Sequence, residues 1–198
     1  MILLEVERRF RVSEQEYESL VNRLTWSLAD RVCDLTFGPT GPTSMQTDGW
    51  VVRLRRTKAG TRMEYKAPRN AEWSAWVEYG TSVGSFAETA RILLATGLKA
   101  GLLLDRSRRV ASCGSAVLSL DDVRGLGRFI EIEVEVDTSD DAQALKAIKE
   151  AQHSLGLQDK SAERPYGEIM LGRLNSDAPF QAEHDNLIKQ VLEDIDDA

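Results

Sequence analysis

Phe129-Ile130-Glu131-Ile132-Glu133-Val134-Glu135 and Leu3-Leu4-Glu5-Val6-Glu7-Arg8-Arg9-Phe10 both alternate charged and apolar side chains at every second position. Successive side chains of a β-strand point to opposite faces, so residues two apart are neighbours on one side. In the first stretch Glu131, Glu133 and Glu135 share a face against Ile130, Ile132 and Val134. In the second, Glu5, Glu7 and Arg9 oppose Leu4, Val6 and Arg8. Each reads as a strand with one face for an apolar core and one that is unusually charged.

The same signature recurs along the chain. Residues 50–56 place Arg53 and Arg55 on one face and Val52 and Leu54 on the other. Residues 62–66 pair Glu64 with Lys66, and residues 102–110 pair Arg106 with Arg108. Segments 76–79 and 115–120 are further expected strands, with turn residues between, and a last short strand or turn is expected around 166–171. Helices are expected after the Ser13/Glu16 and Ser85/Glu88 capping boxes, the second ending near Gly97, and after Ser139, the third reaching Leu155 and stopping at Gly156. Residues 38–49, rich in Gly, Pro, Thr and Ser, read as a loop. Leu187, Ile188, Val191, Leu192 and Ile195 recur at helical spacing, so the acidic tail is expected to be an amphipathic helix docked on its own domain. Many strands with few intervening helices give an α+β chain, mostly antiparallel, either a barrel or a sandwich with helices packed outside. The expected division is a body over residues 1–174 and the acidic tail over 175–198.

Ordinary amphipathic strands turn charge to water, but they usually mix signs, because like charges at neighbouring positions repel. Here some strands carry paired carboxylates and others paired bases. Carboxylates are hard oxygen ligands for Mg²⁺ or Mn²⁺, and arginine forks grip phosphate oxygens two at a time. Together they match the needs of a polyphosphate.

Composition is compatible with that. The 198 residues suit one domain, and 42% of them are hydrophobic. The formal net charge of -7 argues against a nucleic-acid partner. The excess is local: residues 175–198 hold seven acids and one base, leaving 24 bases against 25 acids elsewhere. Two cysteines, Cys33 and Cys113, show no metal-ligand spacing and suit a reducing cytoplasm. No signal peptide or membrane-spanning stretch is read, and the histidines, His153 and His184, are expected at the surface. There is no Gly-x4-Gly-Lys phosphate loop.

In order along the chain, several blocks resemble the CYTH (triphosphate tunnel metalloenzyme) superfamily. Glu5-Val-Glu7-Arg-Arg9 looks like its Glu-x-Glu-x-Lys signature, Val52-Arg53-Leu54-Arg55 its Leu-Arg-x-Arg strand, and Glu64-Tyr65-Lys66-Ala67-Pro68 its Lys-x-Pro strand end. Arg106-Ser-Arg108 is similar to Lys-x-Arg. Leu120-Asp121-Asp122-Val123 with Gly125-Leu-Gly127-Arg-Phe129-Ile-Glu131-Ile-Glu133 resembles Asp-x-Val-x-Gly-Leu-Gly-x-Phe-x-Glu-x-Glu, and Arg164-Pro-Tyr166-Gly-Glu168 with Leu171 resembles the closing segment.

The resemblance implies a closed eight-stranded β-barrel tunnel with a charged interior, acting on a triphosphate. It implies metal-holding acids at Glu5, Glu7, Asp121, Glu131 and Glu133, for Mg²⁺ or Mn²⁺. It implies a phosphate grip of Arg9, Arg53, Arg55, Lys66, Arg106, Arg108 and Arg164, with Glu78 orienting neighbouring arginines, and catalytic roles for Glu5, Glu7, Arg9 and Glu133. The activities implied are hydrolysis of inorganic or organic triphosphate (tripolyphosphate, thiamine triphosphate or a nucleoside triphosphate), class IV adenylyl cyclase action on ATP, or non-catalytic triphosphate binding. The partner is a small triphosphate, with the chain a monomer or a homodimer.

The match departs from the family at three places. Arg9 stands where the family has Lys, and an arginine keeps its charge and cannot accept a proton. The strand at 76–79 lacks paired acids, keeping only Glu78. Trp50 is an odd number of residues from Arg53 and so faces away from it, in core or rim packing, while Trp73 and Trp76 are left unassigned.

Overall fold

A computed structural model describes residues 3–70, 75–137 and 141–193. Eight strands close in the order β1-β5-β4-β3-β2-β6-β7-β8: β1 (Leu3–Arg11), β2 (Asp30–Gly38), β3 (Val51–Thr57), β4 (Gly60–Asn70), β5 (Ala75–Val83), β6 (Lys99–Cys113), β7 (Ala116–Val123) and β8 (Gly127–Asp137). The sheet is a closed antiparallel barrel, which settles the choice between barrel and sandwich. Among the described residues, six α-helices accompany it: α1 (Glu14–Arg23), α2 (Ser44–Thr47), α3 (Phe86–Ala95), α4 (Asp141–Ser154), α5 (Tyr166–Ser176) and α6 (Ala178–Glu193).

The opening stretches pair with each other. β1 runs antiparallel to β8 with Glu5 opposite Glu135, Glu7 opposite Glu133 and Arg9 opposite Glu131. The hairpin from β7 to β8 turns at Gly125 and Gly127, whose φ values of 76° and 97° lie in the left-handed region where a side chain is strained. That requirement accounts for the Gly-Leu-Gly element of the sequence.

The chain divides into two compact units, one of Met1–Asp30, Pro68–Val77 and Arg106–Pro165, the other of Arg31–Ala67, Glu78–Asp105 and Tyr166–Ala198. Each has its own apolar core. In the first unit Val6, Phe10, Leu118, Leu120, Ile130, Ile132 and Val134 turn one strand face toward Leu20 of α1 and Ala144, Ile148 and Ala151 of α4. In the second, Leu35, Phe37, Leu54 and Leu103 meet Phe86, Ala90 and Leu93 of α3, with Leu187, Ile188, Val191 and Leu192 of α6 packed against them. Leu35, Leu54, Leu118, Leu120, Ile130 and Ile132 are fully buried, each stabilising the fold by roughly 1.5–3 kcal/mol. The helices thus cover the apolar strand faces, and the charged faces are the ones left for the barrel's interior.

Capping follows the sequence. Ser13 accepts from the Glu16 N–H while the Glu16 carboxylate accepts from the Ser13 N–H, and Ser85 accepts from the Glu88 N–H. Three expectations are corrected. Residues 166–171 begin helix α5, not a strand. The eighth strand is instead β2, unexpected from the sequence, and residues 38–49 contain two short helical turns inside the expected loop. His184 is buried on α6, where its imidazole meets the Leu103 backbone of β6. Ser139, Trp73 and the last residues of the tail, Ile195 among them, lie outside the described residues. Among the described residues no helix is long and apolar enough to cross a membrane.

Candidate active site: two charged clusters

In the first unit, β1, β6, β7 and β8 contribute a cluster that is almost wholly buried. Glu7, Arg9, Arg106, Asp121 and Glu131 are each at most 5% exposed. Charges taken out of water this far persist only when paired and hydrogen-bonded. Arg9 Nη2 donates to Glu7 Oε1 at 3.0 Å and lies 3.2 Å from Glu131 Oε2, and its Nη1 donates to the Arg164 carbonyl at 3.2 Å. Arg108 forks onto Asp121, Nε to Oδ1 at 2.8 Å and Nη2 to Oδ2 at 2.6 Å, and lies 3.4 Å from Glu131 Oε2. Arg106 Nε approaches Asp121 Oδ2 at 3.7 Å.

The cross-strand register makes this network. Arg9 faces Glu131 across β1 and β8, and Arg108 faces Asp121 across β6 and β7. Burial pushes the Glu131 carboxyl up, but the Arg9 and Arg108 guanidiniums outweigh it and hold the group well below the ordinary carboxylate range. Trp76, buried on β5, adds an indole N–H that donates to Glu7 Oε1 at 3.2 Å.

Glu5 and Glu133 occupy the same face of β1 and β8 and are half-buried. Two carboxylate pairs are directly opposed there, Glu7 with Glu133 and Glu5 with Glu135. Like charges opposed across strands repel, and a cation nearby offsets that, as Arg9 does at Glu7. The donor set is oxygen only and suits a hard divalent ion. Among the described residues, no three acid, His or Cys side chains converge into a finished ion cage. That is compatible with Mg²⁺, which keeps several waters and is commonly held by one or two carboxylates together with substrate phosphates.

The second unit carries a cluster from β2, β3, β4 and β5. Arg53 Nε donates to Glu64 Oε2 at 2.8 Å, and its Nη2 donates to Glu78 Oε2 at 3.4 Å. Arg55 forks onto Asp34 through Nε and Nη2 at 2.8 and 2.9 Å, and Arg62 Nε reaches Glu64 Oε1 at 3.4 Å. Lys66 Nζ pairs with Glu78. Burial raises the Glu78 carboxyl, but Lys66 and Arg53 together bring it below its ordinary value. Glu78 therefore sits between two bases and holds both.

The structure thus brings Glu7, Arg9, Arg106, Arg108, Asp121 and Glu131 together in one cluster, and Arg53, Arg55, Lys66 and Glu78 in the other. Arg164 is exposed and meets the first cluster through its backbone oxygen. Glu64, Trp76 and Glu135 carried no site role in the sequence reading, and Asp34 did not figure in it. Asp34 was hidden because β2 was, although an acid inside Val32-Cys33-Asp34-Leu35-Thr36-Phe37 is the same charged-in-apolar signal. Trp50 stacks on Tyr65 at 5.9 Å between ring centroids, and Tyr65 on Tyr79 at 6.1 Å, so it packs away from Arg53 as its spacing requires.

The family model for the CYTH domain matches residues 3–166. No curated protein sequence matches the chain. Among solved structures, a conserved hypothetical protein from Pyrococcus furiosus superposes with a TM-score of 0.70 at 21% identity, covering 83% of this chain and 98% of its own. A proposed adenylate cyclase of Vibrio parahaemolyticus superposes with a TM-score of 0.69 at 19% identity, covering 84% and 97%. A proposed adenylyl cyclase of Hippeastrum, described as having a dominant triphosphatase activity, superposes with a TM-score of 0.55 at 14% identity, covering 83% and 91%. At these identities the structural likeness speaks for the fold, and α6 (178–193) lies beyond the family match. With that match running through both charged clusters and all eight strands, the chain belongs to the CYTH-domain family.

Proposed function

We propose that this chain is a metal-dependent hydrolase of triphosphates, inorganic or organic, bound against the charged interior face of the barrel. The observation that carries the reading is the first-unit face, where two opposed carboxylate pairs across β1 and β8 adjoin Arg9, Arg106 and Arg108. Phosphoryl transfer asks little covalent chemistry of a protein and depends on positioning and charge neutralisation. This face offers both.

Glu5, Glu7 and Glu133 are the residues assigned to hold Mg²⁺ or Mn²⁺, with Asp121 and Glu131 at the same site. The ion, when bound, supplies charge neutralisation at phosphate oxygens and acidifies water. The remaining work belongs to the chain. Asp121 holds the Arg108 fork in one orientation, so its charge is already aimed before substrate arrives. Arg9, gripped by Glu7, Glu131 and a backbone carbonyl, serves as a fixed cation and not as a proton acceptor. Glu133 is assigned to take the proton of the attacking water. That water's oxygen bonds to the terminal phosphorus, the bridging P–O bond breaks, and orthophosphate and the shortened phosphate leave. Arg53, Arg55 and Lys66 of the second unit are bases of the same kind and are assigned to phosphate binding, as is Arg164.

Support for hydrolysis also comes from the triphosphatase activity described for the Hippeastrum protein. The test is Glu133→Gln, which keeps shape and removes the proton-accepting charge. Phosphate release from tripolyphosphate, ATP and thiamine triphosphate should fall at least about 100-fold. Unchanged release would remove Glu133 from the chemistry, and cyclic AMP with pyrophosphate from ATP would make the chain a cyclase instead.

A further inference from the structure

We propose that Trp76 is a positioning residue, whose indole N–H sets the Glu7 carboxylate in its metal-binding orientation; this rests on the metal-dependent reading above. Trp76 stands in β5, two residues before Glu78 and on the same face. It lies directly opposite Glu5 in the β1–β5 register, which puts it on the charged face. A large apolar ring buried to 7% exposure among carboxylates needs a reason.

The hydrogen bonds give one. Glu7 Oε1 accepts from Arg9 Nη2 at 3.0 Å and from Trp76 Nε1 at 3.2 Å. Two donors from different strands, β1 and β5, converge on one carboxylate oxygen and fix both the rotamer and the plane of the group. The two donors differ in kind. Arg9 brings a full positive charge that competes with a cation, whereas an indole N–H orients the carboxylate without neutralising it. An acid at position 76 would instead face Glu5 and crowd Glu7 with another like charge. Partners that orient a metal-ligating side chain typically change metal affinity 10- to 100-fold when removed.

The test is direct metal binding, independent of turnover. Metal-stripped protein is titrated with Mn²⁺ by electron paramagnetic resonance and with Mg²⁺ by the ¹H–¹⁵N resonances of the indole groups. In the wild type, Mg²⁺ should shift the Trp76 indole resonance and leave that of Trp50 in place; Trp26→Phe, Trp50→Phe and Trp73→Phe assign it by elimination. Trp76→Phe, which keeps the ring and removes the donor, should weaken Mn²⁺ binding roughly 10- to 100-fold. It should also raise the metal concentration needed for half-maximal triphosphate hydrolysis, with kcat largely recovered at saturating metal. An unmoved Trp76 resonance in the wild type, or unchanged Mn²⁺ affinity in Trp76→Phe, overturns the proposal even if triphosphatase activity is present. Absence of both metal binding and hydrolysis in the wild type overturns the functional reading itself, and this proposal with it.

Discussion

Arg108 and Asp121, directly opposed across β6 and β7, form a two-pronged ion pair with contacts of 2.8 and 2.6 Å, and Asp121 has no solvent exposure. Asp121 also lies 3.7 Å from Arg106, so one acid answers for two guanidiniums. In Asp121→Asn the Arg108 fork is broken, leaving Glu131 at 3.4 Å from it, and Arg106 loses a nearby negative charge in a buried setting. The expected loss of stability is about 3–5 kcal/mol, measured by urea denaturation. A change under about 1 kcal/mol would mean that water or a neighbouring acid takes over.

Arg9 separates two accounts of position 9. As a clamp it uses both of its terminal nitrogens, on Glu7, Glu131 and the Arg164 carbonyl, which a single ammonium cannot match. Arg9→Lys should therefore cost about 1–3 kcal/mol of stability and lower kcat/KM, with the shape of the pH profile unchanged. A gain in rate accompanied by a new basic limb would show instead that position 9 takes part in proton transfer.

Acid should act through Glu131. Its folded-state pKa is depressed, so the unfolded chain binds the extra proton first as pH falls. The stability it contributes is fully present above the ordinary carboxylate range and is lost as pH drops through that range toward the folded value. Between pH 5 and 7 this contribution should be flat. Glu131→Gln should be less stable than wild type at pH 7, and the gap should narrow below about pH 4 in denaturation curves.

His184 gives a second pH dependence in a different window. Burial pushes its pKa down, outweighing the Leu103 carbonyl 3.2 Å from Nε2, and in the neutral ring Nε2 accepts the Leu103 N–H at 3.1 Å. Asp185, 4.0 Å from Nδ1, pulls the other way. The unfolded histidine takes its proton near pH 6.5 while the folded one resists, so stability falls on acidification from about pH 7.5 through 6.5 and levels below the folded pKa. The slope cannot exceed about 1.4 kcal/mol per pH unit for one proton. His184→Gln should remove it, and a wild-type curve with no slope there would contradict the buried neutral state.

The sequence made the charged strands legible because alternation survives wherever one face must be apolar. β1, β3 and β8 show that directly, and the Ser13 and Ser85 caps were equally plain. β2 escaped because its apolar residues run almost together, with Val32, Cys33, Leu35 and Phe37 all buried and Asp34 among them. Periodicity is weak there, and the charge of Asp34 answers Arg55 directly across the sheet. α5 was misread because Tyr166, Met170 and Leu174 are buried at helical spacing that a six-residue window does not span. His184 escaped because a polar-looking segment gave no sign that Leu103 would meet it. The candidate acids and bases were legible as types and faces. Their partners were not, since pairings such as Arg9 with Glu131 or Trp76 with Glu7 depend on register between distant strands.

The most direct test is product analysis. Metal-stripped protein is incubated with tripolyphosphate, ATP and thiamine triphosphate, with and without Mg²⁺ or Mn²⁺, and all products are resolved by chromatography. The account predicts orthophosphate release from at least one triphosphate, only when metal is added, and its loss in Glu133→Gln. Tight triphosphate binding with no product under either metal, or cyclic AMP and pyrophosphate from ATP, would contradict it.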